Sequence, residues 1–200
     1  MDPTAQYALA YALSTTAGLR GFLTLLAASL AIHAGWMHPA APFAWLGTSG
    51  ATLILAVFSV LEFAGDKVPA VDHALHVIQT AVRPMAAAIL VGSTVHVASQ
   101  SELYGLMTVG ALNALLVHGS SVTARLASSA TTLGTGNAVL SFAEDALAIG
   151  GIVLSFAAPA VAAVLALIFV AALVFIAARL YLRTKKRPAL KAPQEKEPTA

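Results

Sequence analysis

Apolar and polar positions fall in long blocks along this chain, without the short alternation of a soluble fold. Apolar runs cover Tyr7 to Ile32, Ala51 to Ala64, Val71 to Val97, Leu103 to Val117, Asn137 to Phe156 and Pro159 to Leu182. A hydrocarbon core of about 30 Å takes about 20 helical residues to cross, so the runs predict an all-α, polytopic transmembrane bundle of about five to six spans. Some spans are expected to be short or broken. Ala51 to Ala64 covers only about 20 Å at 1.5 Å per residue. Tyr7 to Ile32 is long enough to span, yet Ser14-Thr15-Thr16-Ala17-Gly18-Leu19-Arg20-Gly21 interrupts it with small residues and two glycines that tolerate a break. Pro69 stops helix continuation, Asp72 is placed to cap the helix that follows, and Pro84 predicts a kink within it. His33 to Ser49 reads as a loop with Trp36, Phe43 and Trp45 in an interfacial belt. Gln100-Ser101-Glu102 reads as a polar turn, and His118 to Gly136 as a polar segment of small residues.

Composition supports the membrane reading. The chain is 58% hydrophobic and 10% charged, with mean hydropathy +0.82, where a soluble domain carries about 25% charge. There is no cysteine, which excludes disulfides and thiolate metal sites. The net charge of +2 would suit a nucleic-acid partner, but seven of the eleven Lys and Arg lie in Arg179–Lys196, just past the last apolar run. That is the positive-inside signature; it argues against nucleic acid and places the C-terminus in the cytoplasm. The first basic residue is Arg20, inside an apolar run, so the N-terminal stretch reads as a retained span rather than a cleaved signal peptide. Residues 1–182 form the expected transmembrane domain, with candidate halves 5–98 and 103–182. Residues 183–200 form a basic tail expected to be disordered.

The halves show a weak repeat. Asp72 precedes Pro84 by twelve residues and Asp145 precedes Pro159 by fourteen, and STTAGLRG upstream of the first is echoed by HGSSVTAR upstream of the second. If each half crosses three times, the halves form an inverted repeat, a plan that places transporter sites at interrupted helices near the midplane.

The chemistry lies in the charges left among the apolar runs. Glu62 and Asp66 are spaced i, i+4 and share a helix face, as do Asp72 and His76, with His73 adjacent. Asn137, Ser141 and Asp145 repeat at i, i+4, i+8, with Glu144 nearly alongside. Oxygen sets of this kind suit a proton or a hard divalent cation, with Glu62, Asp66, Glu144 and Asp145 as the candidate metal ligands. Arg20, Lys67, Arg83 and Arg125 are the opposing charges, read as counter-charges or gates. Each unpaired charge costs about 2.5–3.5 kcal/mol at a bilayer centre, so these groups must pair, line water or reach the interface. No resident cofactor is called for beyond such a cation. No Gly-x-Ser-x-Gly, P-loop or His-Glu-x-x-His pattern occurs, and the expectation is a protein that is not an enzyme. Expected partners are membrane lipids and a small ion or small-molecule substrate; the small-residue faces also permit a homo-oligomer.

With Glu62-Phe63-x-x-Asp66-Lys67-x-Pro69-x-x-Asp72 and Arg83-Pro84 assembled, the chain resembles the bacterial membrane family catalogued as domain of unknown function 4126. The resemblance also covers Ala17-Gly18-Leu19-Arg20, His118 with Arg125, Asn137 and Ser141-x-x-Glu144-Asp145. Where the family pattern carries a Lys three residues after the His, this chain has Ser121. The resemblance implies an integral membrane protein and no assigned activity; the expected location is the bacterial inner membrane. Glu62-Phe63-Ala64-Gly65-Asp66-Lys67 is also similar to the Glu-x-Gly-Asp-Lys motif of manganese/calcium–proton exchangers, with one extra residue between the acids. That residue turns a helix by about 100°. Three functions follow as expectations: an ion transporter or channel that works through intramembrane carboxylates, a structural membrane protein held by ion pairs, or a membrane enzyme or binder gripping lipid phosphate with Arg83 and Arg125.

Overall fold

The computed structural model describes the backbone of residues 2–65, 69–133 and 135–185, and the side chains of residues 2–65, 77–133 and 135–179. Every regular element among them is helical. The order is α1 (Pro3–Leu19), α2 (Gly21–His33), a 3₁₀ turn (Ala41–Gly47), α3 (Ser49–Gly65), α4 (Pro69–Thr94), α5 (Gln100–Thr132), α6 (Thr135–Ala157) and α7 (Pro159–Lys185). Asp2 caps α1 by accepting the Ala5 N–H at 3.0 Å, and Pro3 supplies the first-turn proline. Helices α4 to α7 each contain a stretch long and apolar enough to cross a membrane. The 3₁₀ turn and α3, bent at 67°, make a fifth if they act as one span. The spans predicted over Val71–Val97, Asn137–Phe156 and Pro159–Leu182 are thus present, with Pro84 inside α4, whereas Ala51–Ala64 forms part of α3, which counts as a span only together with the 3₁₀ turn.

The predicted first span is not a span. α1 runs alongside α5 in the same direction: Tyr7 Oη donates to Glu102 at 3.3 Å, Asn113 Nδ2 donates to Ser14 Oγ at 2.9 Å and Thr15 Oγ1 at 2.8 Å, and Gly18 packs on Val117. Against α4 it is antiparallel, since Gln6 Oε1 accepts the His96 N–H at 3.2 Å while Arg83 reaches the Gly18 carbonyl. The chain reverses at Arg20, whose backbone is extended (φ −145°, ψ 94°). From there α2 runs with α4: Gly21 lies beside Arg83 and Ala86, and beyond α2 the Ala40 N–H meets the Ser93 carbonyl at 3.3 Å. Both limbs therefore end where α4 ends, and α1–α2 is a re-entrant hairpin. Arg83, beside the apex, is eleven residues before the end of α4, or about 16 Å, which is roughly the middle of a 30 Å core.

Neighbours wrap the hairpin. α3 descends antiparallel to α2, with Ser29 bonded to Thr52 and the Phe22 and Phe58 rings stacked at 4.9 Å. α6 rises antiparallel to α1, Gly151 against Thr16, and α7 descends outside it, with Phe169, Val170 and Leu173 on Leu19, Val117 and Ala148. The main core of Leu9, Leu13, Leu25, Leu46, Leu55 and Leu90 sits where hairpin, α3 and α4 meet. The large apolar residues of α7 mostly face outward, as expected where lipid is the solvent.

Two further expectations are corrected. Gln100-Ser101-Glu102 is the first turn of α5, and His118 to Thr132 continues the same helix for 33 residues in all. Hydroxyls here fold back on their own helix: Ser120 donates to Leu116 O, Thr123 to Gly119 O and Thr131 to Ala127 O. That satisfies their polarity without breaking the ladder. The repeat loses its upstream match for the same reason, since STTAGLRG contains a chain reversal and HGSSVTAR is uninterrupted helix. The basic tail lies outside the described residues from 186 onward.

Candidate functional site

A reversal in mid-bundle buries two helix ends. The last carbonyls of α1 and the first N–H groups of α2 have no intrahelical partners, and hydrocarbon supplies none. Charged side chains from α3 and α4 fill both roles. Glu62, on the buried face of α3 and 2% exposed, accepts the N–H groups of Gly21 (Oε1, 3.1 Å), Phe22 (Oε2, 3.1 Å) and Leu23 (Oε2, 3.4 Å). Negative charge at a helix N-terminus is favoured by the dipole as well as by the hydrogen bonds. Arg83, fully buried on α4, donates through Nη1 to the Gly18 carbonyl at 2.9 Å, the complementary pairing at the negative end of α1. Its Nε lies 3.9 Å from Glu62 Oε1, so the two caps also neutralise each other.

Arg83 reaches further. Its Nη2 donates to Gln79 Oε1 at 2.7 Å, and its Nη1 lies 2.9 Å from His118 Nδ1. A guanidinium only donates, so Nδ1 accepts and the imidazole proton sits on Nε2, 3.3 Å from Thr80 Oγ1.

Arg20, at the apex and 1% exposed, turns to α6. Its Nη2 is 2.6 Å from Asp145 Oδ1 and 3.3 Å from Ser141 Oγ. Next to Asp145 in sequence, Glu144 is held from α5: Arg125 donates to its Oε2 at 2.6 Å, and Ser121 Oγ donates to the other oxygen of the same carboxylate. Among the described residues, guanidinium–carboxylate pairs thus tie the apex to α6, α4 to α3 and α5 to α6. An apolar cavity of about 280 Å³ between α1, α6 and α7 contains none of these charged groups.

The i, i+4 reading of α6 holds in part. Ser141 and Asp145 meet the same guanidinium, whereas Asn137 Nδ2 donates to Ser129 Oγ at 2.9 Å, away from it. Glu144 faces Arg125 on a separate side of the helix. Asp66, Lys67, Asp72, His73 and His76 lie outside the residues whose side chains are described. Among the described residues no group of three or more His, Cys, Asp or Glu comes together. The sequence reading missed Gln79 and Thr80, which look like ordinary polar residues. It also missed the backbone donors of residues 21–23, which no side-chain pattern reports.

These features define a class: a polytopic α-helical membrane protein with a re-entrant hairpin whose apex is held by buried ion pairs. The chain belongs to the family described as "Domain of unknown function (DUF4126)", which matches residues 7–179. No curated protein and no solved structure matches it. The likeness to manganese/calcium–proton exchangers therefore rests on the Glu62–Lys67 motif alone.

Proposed function

We propose that this membrane protein moves a small ion across the bilayer, with the hairpin apex as its gate and proton uptake by the apex carboxylates as the coupling event. The observation that carries the reading is the reversal at Arg20 inside the bundle, with both helix ends capped by side-chain charges from α3 and α4. Discontinuous helices near the midplane, with charged groups at their ends, are the recurring architecture of ion and substrate sites in transporters. Glu62, Asp145 and Glu144 are the proposed ion- or proton-handling carboxylates, and Asp66 and Asp72 the candidates for extending the path. Arg83, Arg20 and Arg125 are the counter-charges that hold the gate shut, with Lys67 a further candidate. No catalytic role is assigned. The basic end of α7 is the cytoplasmic side of the inner membrane, so the hairpin enters from the opposite face.

A second reading, a scaffold locked by ion pairs, is favoured by one observation: both oxygens of Glu62 are already engaged. Proton flux into proteoliposomes separates the two. Flux by the wild type, reduced about tenfold or more in Glu62→Gln at equal folded protein, supports the gate. Absence of flux in the wild type, or equal flux in both proteins, leaves the scaffold.

A further inference from the structure

Resting on that reading of the apex as a gate, we propose that His118 is the positioning residue of the Arg83 cap and the proton sensor of the gate. A proton taken up by its ring releases Arg83 from the end of α1.

One nitrogen of Arg83 carries both contacts. Nη1 has two hydrogens, and its two acceptors are the Gly18 carbonyl at 2.9 Å and His118 Nδ1 at 2.9 Å. The bond that caps α1 and the bond to the imidazole therefore belong to one rigid planar group. Nη2 is fixed separately on Gln79 Oε1 at 2.7 Å. The ring is held from its far side as well, with Nε2 3.3 Å from Thr80 Oγ1. Gln79, Thr80 and Arg83 lie within one turn of α4, so a single helix supplies both the guanidinium and the hydroxyl that orient the ring. His118 and Arg83 are both buried, so bulk water does not take over a lost bond.

A neutral imidazole has one nitrogen that accepts; a charged one has none. With Nε2 already protonated, an incoming proton goes to Nδ1. An N–H then faces an N–H, and two cations share a buried place. Turning the ring over gives no escape, because a charged imidazole presents N–H at both nitrogens. The guanidinium withdraws, and the Gly18 carbonyl loses the same Nη1. Of the described groups around Arg83, the Gly18 carbonyl and the Gln79 amide do not titrate; His118 and Glu62, 3.9 Å from Nε, do. Acid acts on both in one direction, removing a counter-charge at Glu62 and adding a cation at His118. The Arg125–Glu144 pair stands further off, reaching Ser121 on the next turn of α5, and Arg20 of the apex is matched by Asp145. α7 meets the neighbouring Val117 with apolar residues.

The full chain in detergent gives the test, melted at about pH 8 and about pH 5, on either side of the ordinary imidazole value of about 6.5. His118→Asn puts an amide oxygen near the place of Nδ1 and takes up no proton, whereas His118→Leu offers no acceptor. At the higher pH, His118→Asn should melt within about 2 °C of the wild type and His118→Leu about 3–6 °C below it. The stability that needs a neutral ring is present above the ordinary imidazole value and is lost as the pH falls below it. The wild type should therefore fall about 3–6 °C further than His118→Asn at the lower pH, and His73→Gln and His76→Gln should keep the wild-type fall. An equal fall in the wild type and His118→Asn, or a fall abolished by His76→Gln, overturns the proposal. If His118→Asn does not fold, solid-state NMR of wild type labelled in Arg and His is read instead. A guanidinium–imidazole cross-peak present at the higher pH and lost at the lower is expected; one that persists at both overturns the proposal. Proton flux in proteoliposomes separates the sensor from the gate. The expected melts without flux keep His118 as the positioning residue and reject the gate; flux with equal melts does the reverse.

Discussion

Arg20 and Asp145 show what a buried charge demands of its neighbours. Arg20 is 1% exposed at mid-bundle, and its carboxylate partner sits 2.6 Å away on α6. A matched pair in such a place adds little net stability over apolar replacements, but removing one member leaves the other uncompensated, at about 3–5 kcal/mol. Asp145→Leu should therefore destabilise the protein by about that amount in a detergent melt, and adding Arg20→Leu should restore most of the loss. A double variant no more stable than the single would mean that the two side chains do not depend on each other. The charges themselves were legible in the sequence because ionisable residues are rare in apolar runs, and their cost there left pairing, water or the interface as the places for them. Which acid meets which base was not legible. Glu144 and Asp145 are adjacent, yet they serve Arg125 and Arg20 respectively because successive residues on a helix point about 100° apart.

The hairpin depends on small residues as much as on charge. A Cβ on Gly18 would lie 2.7 Å from Val117 Cβ and 2.8 Å from the Ala114 carbonyl, and one of those contacts is backbone that cannot yield. Gly18→Ala should cost about 1–3 kcal/mol by overpacking the apex against α5. Gly105→Ala, where a Cβ meets nothing within 4 Å, should be neutral or slightly stabilising. Equal melting of the two variants would contradict the close approach of α1 and α5. At this scale the helices and the break at Gly18–Gly21 could be read from apolar run lengths and small residues. The reversal could not, because hydropathy gives the length of an apolar run and is blind to its direction. The continuity of α5 was hidden by counting Ser and Thr as polar when their hydroxyls bond to carbonyls of the preceding turn.

Across the whole molecule, the re-entrant hairpin divides the chain's landmarks between two faces. The start of α1, the loop after α2, and the α4–α5 and α6–α7 turns share one end, while the α5–α6 turn and the end of α7 share the other. The proposed ion gate depends on this division, since it needs two helix ends to meet inside the bundle. The natural chain has no cysteine, so single cysteines can be placed without background. Thr4→Cys, Trp36→Cys and Leu133→Cys, labelled with a membrane-impermeant thiol reagent in sealed vesicles, measure the arrangement directly. Trp36 and Leu133 are both exposed. Labelling of Thr4→Cys and Trp36→Cys from one side, with Leu133→Cys reached only from the other, is the predicted result. Labelling of Thr4→Cys and Trp36→Cys from opposite sides would make residues 7–32 a full span and contradict the account.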